Sequence, residues 1–162
     1  MRIAVCAVGR KGPFDAQVSD YLGRAAKTGR ALGLSGFALS AVEAPKAMSG
    51  AVRQAREAEL LLGALPDAGR IVILDEGGRD LTSRAFADLI GREREAGAPA
   101  LAFVIGGADG FDDGLRAEVR PRLAATAAFG RTTWPHMLAR VMLAEQLYRA
   151  TTILTGHPYH RD

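Results

Sequence analysis

Short apolar runs alternate with amphipathic stretches along the whole chain. Residues 2–8, 71–74 and 100–105 form nearly continuous apolar runs, which are typical of strands buried on both faces of a parallel sheet. Residues 37–42 and 126–129 predict two further strands. Because the strands alternate with helices, the pattern indicates an α/β protein with a mainly parallel sheet flanked by helices.

Apolar residues at helical spacing predict five helices, near residues 14–25, 48–65, 83–96, 115–123 and 137–154. Thr82 or Ser83 is expected to cap the third helix, and Pro121 to bend or end the fourth. The acidic, glycine-containing segment 75–80 is expected to be a loop. The last helix is apolar nearly all round, so we expect burial on more than one side and infer an interface between subunits.

Composition fits one soluble domain spanning residues 1–162, with 48% hydrophobic and 24% charged residues. The lone Cys6 excludes an intramolecular disulfide. Neither a signal peptide nor an apolar stretch of the roughly 20 residues that span a bilayer is recognisable, so a cytoplasmic protein without membrane contact is expected. A net charge of +3 slightly favours a polyanionic partner without demonstrating nucleic-acid binding.

Two glycine-containing segments, 74–78 and 106–110, follow predicted strands. Ligands of open α/β sheets bind beyond the carboxyl ends of the strands, and glycine lets a ligand touch the backbone there. Neither segment fits the dinucleotide or Walker pattern, and tight turns without a ligand are the alternative. A third candidate is the segment 129–136, which contains the only tryptophan, Trp134, and His136.

The segment 157–161 brings His157, Tyr159, His160 and Arg161 together within a few residues. Such a cluster suits an RNA-phosphate clamp with a tyrosine beside a base, and the arginines near it would add positive charge. These arginines are Arg140, Arg149 and Arg161. A metal site is the alternative, but Cys or carboxylate partners at recognisable spacing are missing, so we expect no metal.

These motifs, taken in order, resemble the SPOUT methyltransferases from end to end. The matching stretches are 7–9, 74–75, 105–107, 133–136, 144–150 (AEQLYRA) and 157–161 (HPYHR). The last two stretches together are highly specific for the group that methylates N3 of pseudouridine.

The resemblance implies a trefoil knot in the C-terminal region, a homodimer, and S-adenosylmethionine held in the knot by backbone groups. The residues that it implies for cofactor binding are Leu74, Gly106, Gly107, Gly130, Arg131, Thr132, Thr133, Trp134 and Pro135. It also implies methylation of a pseudouridine in a 23S rRNA hairpin loop on the assembled 70S ribosome.

Within that resemblance we expect His160 and Tyr159 near the target base, with Arg161 and Arg149 holding phosphate or developing charge. His136, Arg140 and His157 are expected to contact RNA. Two alternatives stay open: a SPOUT methyltransferase that acts on tRNA, and a non-catalytic ribosome- or RNA-binding factor, which would show no affinity for S-adenosylmethionine.

Overall fold

Five parallel strands form one sheet in the part of the chain that the structure describes. The computed structural model describes residues 1–10 and 12–160, with strands β1 (Arg2–Val8), β2 (Ser35–Val42), β3 (Arg70–Asp80), β4 (Ala100–Ile105) and β5 (Leu123–Ala128). Their order is β2-β1-β4-β3-β5, and every neighbouring pair is parallel. The predicted α/β class with a parallel sheet is therefore confirmed, and the knotted path of the chain stays a prediction.

In the described part of the chain, five helices cover the two faces of the sheet. They are α1 (Asp15–Gly29), α2 (Gly50–Ala64), α3 (Ser83–Glu95), α4 (Asp113–Val119) and α5 (His136–Thr155), with 3₁₀ turns at Arg30–Leu32 and Arg120–Arg122. Helices α1, α3 and α5 share one hydrophobic core, and α2 and α4 share the other. The sheet is therefore the middle layer of three.

The central strands β1 and β4 face both cores. Ile3 and Val5 pack into the core of α1, α3 and α5, whereas Ala4 and Cys6 face α2 and α4. Successive side chains of a strand point to opposite faces, so burial of both faces requires a continuous apolar run. This requirement explains why the sequence pattern identified these two strands so clearly.

Short polar side chains set two helix starts. The Thr82 hydroxyl accepts a hydrogen bond from the Ala85 N–H at 3.1 Å, as predicted for the cap of α3. The Asp112 carboxylate accepts from Gly114 N at 2.7 Å, and α4 consequently begins at Asp113 rather than at the predicted residue 115. Pro121 lies in the 3₁₀ turn that follows α4, so the predicted helix end is confirmed.

The expected loop 75–80 is wrong, because β3 continues to Asp80. The register shifts between Leu74 and Arg79, after which Arg79 pairs with Ala127 and Asp80 with Ala128. Gly78 permits β3 to pair with β5 again after the shift, since a Cβ at this position would lie 2.6 Å from the Ala127 carbonyl carbon. The hydrophobicity pattern did not predict this extension of β3, because the residues that form it are polar or glycine.

Helix α5 packs against both α1 and α3. Every residue from 136 to 154 is at least partly buried, as the apolar sequence predicted. Among the residues that the structure describes, no helix is both long and apolar enough to cross a membrane.

Candidate active site

A cavity of about 610 Å³ lies at the carboxyl ends of β3, β4 and β5. Its walls come from residues 74–76, 105–111, 127–130 and 132–136, with Ala139 of α5. These three strands are neighbours in the sheet, so their following segments converge at one edge. The cavity is large enough for a nucleotide-sized ligand.

The structure brings eight of the nine predicted cofactor residues to this cavity. Those eight are Leu74, Gly106, Gly107, Gly130, Thr132, Thr133, Trp134 and Pro135. The ninth, Arg131, is exposed and does not contribute to the lining. His136, predicted to contact RNA, lies in the same wall.

The segment 106–110 folds into a tight turn. Gly110 N donates to Gly107 O at 3.1 Å, and Gly110 has a φ of +75° that favours glycine. A Cβ on Gly106 would lie 3.3 Å from Gly110 O. The turn therefore needs its glycines for backbone shape and close approach, and it presents backbone to the cavity.

The segment 129–136 is tied to the end of β3 by side chains. Gly130 N donates to Asp80 Oδ1 at 3.1 Å, and the Thr133 hydroxyl donates to Glu76 Oε2 at 2.7 Å. The Trp134 indole N–H donates to the Phe129 carbonyl at 2.8 Å. Trp134 is 42% exposed, so its ring lies at the cavity rim rather than in the core.

The cavity lining is acidic although the chain carries a net charge of +3. Asp75, Glu76 and Asp109 line it, and no Lys or Arg side chain does so among the described residues. Arg116 Nη2 lies 2.6 Å from Asp75 Oδ2, and Arg53 forms an ion pair with Asp109. Glu76 accepts a hydrogen bond from the Thr133 hydroxyl. Because that hydroxyl is neutral, the negative charge of Glu76 remains available to a cationic ligand.

His136 lines this wall with a neutral imidazole. Burial lowers the pKa of His136, and the nearby Arg140 guanidinium lowers it further. At neutral pH the ring is therefore a hydrogen-bonding group without charge.

Arg140 is an internal brace, contrary to the predicted RNA contact. Its side chain is 2% exposed, and its guanidinium donates to Gly9 O at 2.7 Å, to Arg10 O at 3.3 Å and to Val8 O. Gly9 has a φ of +105°, and a Cβ there would approach Arg140 Nη2 to 3.0 Å. With its donors directed at the end of β1, the guanidinium offers no surface to RNA.

The predicted substrate residues lie on α5 and in the segment that follows it, away from the cavity lining. The Tyr159 hydroxyl donates to Glu145 Oε1 at 3.2 Å, and Arg149 donates to the same oxygen at 2.9 Å through Nε. The Tyr148 and Tyr159 rings lie 4.6 Å apart, and the Arg149 guanidinium is 5.0 Å from the Tyr159 ring centre. We call Arg149, Tyr159, His157 and His160 the tail cluster.

Tyr159 is a protonated phenol at neutral pH. Burial first, and then the charge of Glu145, raise its pKa to about 12. Tyr159 N donates to His157 Nδ1 at 3.2 Å, and His160 is partly buried beside it in the chain. No member of the tail cluster lines the cavity of its own chain, and the predicted Arg161 lies outside the described residues.

The acidic residues of the lining were not among the predicted site residues. The segments that contain Asp75, Glu76 and Asp109 were recognised as strand-end loops, so position was a usable signal. The α2 residues that hold Asp109 gave no signal, because Arg53 precedes Asp109 by 56 residues. Among the described residues, no group of three or more His, Cys, Asp or Glu side chains could hold a metal ion.

A parallel sheet with a cavity of this size beyond its carboxyl edge is typical of an α/β enzyme that binds a nucleotide-like ligand. A sequence model of the family described as predicted SPOUT methyltransferase matches residues 1–160. The chain therefore belongs to the SPOUT methyltransferase family, and it is a methyltransferase.

Individual relatives match the chain along its whole length. It is 51% identical over 164 residues to the ribosomal RNA large subunit methyltransferase H of Paracoccus denitrificans, and the match covers 100% of both chains. It is 50% identical over 163 residues to the protein of the same name from Dinoroseobacter shibae, with 99% of both chains covered.

Proposed function

We propose that the protein transfers a methyl group from S-adenosylmethionine to N3 of a pseudouridine in a hairpin loop of 23S rRNA, on the assembled 70S ribosome in the cytoplasm. The observation that carries the proposal is the cavity, which gathers eight of the nine predicted cofactor residues. The names of the full-length relatives support an RNA substrate from the large ribosomal subunit.

The cavity chemistry fits this cofactor. S-adenosylmethionine, when bound, supplies a methyl group on a positively charged sulfur. Arg116 and Arg53 compensate the charges of Asp75 and Asp109, whereas the Glu76 carboxylate accepts only the neutral Thr133 hydroxyl and favours a cation over a neutral molecule at the lining. The turn 106–110 offers backbone donors and acceptors of the kind that read an adenine edge.

The side chains of the tail cluster suit the reaction at the target base. N3 of pseudouridine carries a proton that must leave before its lone pair can attack a methyl group. Because the pKa of Tyr159 is about 12, its phenol keeps its own proton at neutral pH and is not the acceptor of the N3 proton. His160 is therefore our candidate for the proton acceptor. Arg149, and Arg161, which follows His160 in sequence, would compensate the negative charge of the reacting base.

A homodimer would bring the two parts together. The tail cluster does not line the cavity of its own chain, so we propose that it completes the cavity of a second copy. The partly buried apolar side chains of α5 supply a surface for such contact. The active site would then contain a cavity from one subunit and a tail cluster from the other.

Methyl transfer from labelled S-adenosylmethionine tests the proposal. The substrates to compare are 70S ribosomes, separate 50S subunits, free 23S rRNA and tRNA, all from cells that lack the modification. We expect label only in 70S ribosomes, on one pseudouridine that mass mapping identifies as methylated at N3. Label in tRNA would support the alternative SPOUT activity, and cofactor binding without label in any RNA would contradict the proposal.

A further inference from the structure

Helix α2 supports the cavity wall from outside. Arg53 Nε donates to Asp109 Oδ2 at 3.0 Å, and Gln54 Nε2 donates to the Asp109 backbone carbonyl at 2.9 Å. Asp109 lies in the turn 107–110, which Gly107 and Gly110 close and which lines the cavity. Two α2 side chains thus contact the outer side of a turn whose inner side faces the cavity.

Glu57 lies one helical turn after Arg53 and is 7% exposed. Its Oε1 atom is 4.0 Å from Arg53 Nε, and its buried Oε2 atom has no hydrogen-bond partner among the described residues. A Cβ added to Gly107 would lie 2.6 Å from Oε2, so the carboxylate sits directly behind the Gly107 backbone. Val8 is the other close neighbour of that position.

A buried carboxylate oxygen without a donor costs free energy of folding. Burial is the main cause of the raised pKa of Glu57; Arg53 opposes the increase, and Asp109 and Glu43 add to it. Stability therefore does not explain a carboxylate at this position. Buried charged groups that lower the stability of the fold tend to occur at functional sites.

We propose that Glu57 is a positioning residue for cofactor binding. Its carboxylate directs the Arg53 guanidinium towards Asp109 and holds the Gly107 backbone from behind, which sets the shape of the turn that meets the cofactor. Glu57 does not line the cavity, so it acts through Arg53, Asp109 and Gly107. The inference rests on the proposed function, because it needs a cofactor in this cavity.

The variant Glu57→Gln tests the role with almost no change in volume. Because it removes a buried negative charge whose Oε2 atom has no hydrogen-bond donor among the described residues, its melting temperature should equal or exceed that of the wild type. Because Arg53 loses its ionic partner on α2, the Kd for S-adenosylmethionine should rise about tenfold. The kcat at saturating cofactor should stay within about threefold of the wild type, since no substrate contact changes.

The matched control is Glu59→Gln, which removes the same charge from an exposed position of the same helix, where Glu59 pairs with Arg56. It should leave the Kd and the melting temperature unchanged. A Kd of Glu57→Gln within about twofold of the wild type would overturn the proposal. Loss of affinity together with a lower melting temperature would also overturn it, because Glu57 would then be structural.

A second variant tests the contact at Gly107. Gly107→Ala should weaken cofactor binding, because its methyl group would enter the space of Glu57 Oε2. In a Glu57→Ala background the same change should cost less affinity, since the obstructing carboxylate is gone. Additive effects of the two substitutions would contradict the contact.

Calorimetric titration of the wild type separates this inference from the proposed function. If the wild type does not bind S-adenosylmethionine, the proposed function fails. If the wild type binds and Glu57→Gln binds equally well, the role of Glu57 alone is wrong.

Discussion

The Thr133 hydroxyl donates to Glu76 Oε2 at 2.7 Å and so joins two walls of the cavity that are 57 residues apart in sequence. Thr133 lies in the segment before α5, and Glu76 lies in the β3 extension. Both residues line the cavity, so the hydrogen bond connects these two segments at the lining. It also keeps the Glu76 carboxylate at the lining, where a cationic ligand would meet it.

Removing this link should weaken cofactor binding. We expect Thr133→Val to raise the Kd for S-adenosylmethionine about threefold to tenfold, because one hydrogen bond to a carboxylate is lost while the volume is kept. Calorimetry or the fluorescence of Trp134, the only tryptophan, can follow the titration. The control Thr126→Val, on β5 outside the lining, should bind normally; if both variants bind alike, the link has no role in binding.

Arg140 should matter for stability more than for RNA binding. Arg140→Met leaves the carbonyls of Val8, Gly9 and Arg10 without their donor, so the free energy of unfolding should fall by about 2–3 kcal/mol. Urea denaturation measures this change. The exposed Arg24→Met is the control and should unfold like the wild type. If Arg140→Met keeps full stability but loses RNA binding, Arg140 does not act as an internal brace.

His136 should make the protein less stable in mild acid. Its pKa is lowered in the folded state, so the unfolded chain takes up the proton first as pH falls. The contribution of neutral His136 is present above the unfolded pKa of about 6.5 and is lost progressively as pH falls below it.

Urea unfolding at pH 7.5 and pH 5.5 measures this effect. The loss of stability between the two pH values should be smaller for His136→Gln than for the wild type. His157→Gln, at an exposed position, should behave like the wild type. An equal loss in His136→Gln and the wild type would contradict burial as the cause of the lowered pKa.

The strands were predictable where burial on both faces leaves an uninterrupted apolar run. The predicted runs 2–8 and 100–105 coincide with β1 and β4, which lie at the centre of the sheet. The β3 extension was not predictable, because residues 75–80 are polar and pair only after a register shift. Its structure depends on the close approach of Gly78 to β5, a tertiary contact with no local signature.

The candidate site, like the fold, could be predicted from the sequence only in part. Strand-end glycines and the family motifs identified the cavity segments, because the carboxyl edge of a parallel sheet is fixed by topology. The burial of Arg140 and the support from Glu57 could not be predicted, because each depends on a partner far away in sequence. In a sequence, an arginine that contacts RNA looks the same as one that is buried and donates to backbone carbonyls, as Arg140 does.

The central claim is that the cavity of one subunit works with the tail cluster of the other. Two inactive variants test it when they are mixed and allowed to exchange subunits. His160→Ala removes the proposed proton acceptor and keeps the cavity. Gly106→Leu fills the cavity, because even a Cβ there would lie 3.3 Å from the Phe111 ring, and keeps the tail cluster.

Methyl transfer by an equimolar mixture of the two variants is the measurement. Half of the dimers would combine one subunit of each kind, and each of these would hold one intact composite site, so activity should recover to about a quarter of the wild-type value. Each variant alone should be nearly inactive. A mixture as inactive as its components, with subunit exchange verified by mass spectrometry, would contradict the claim.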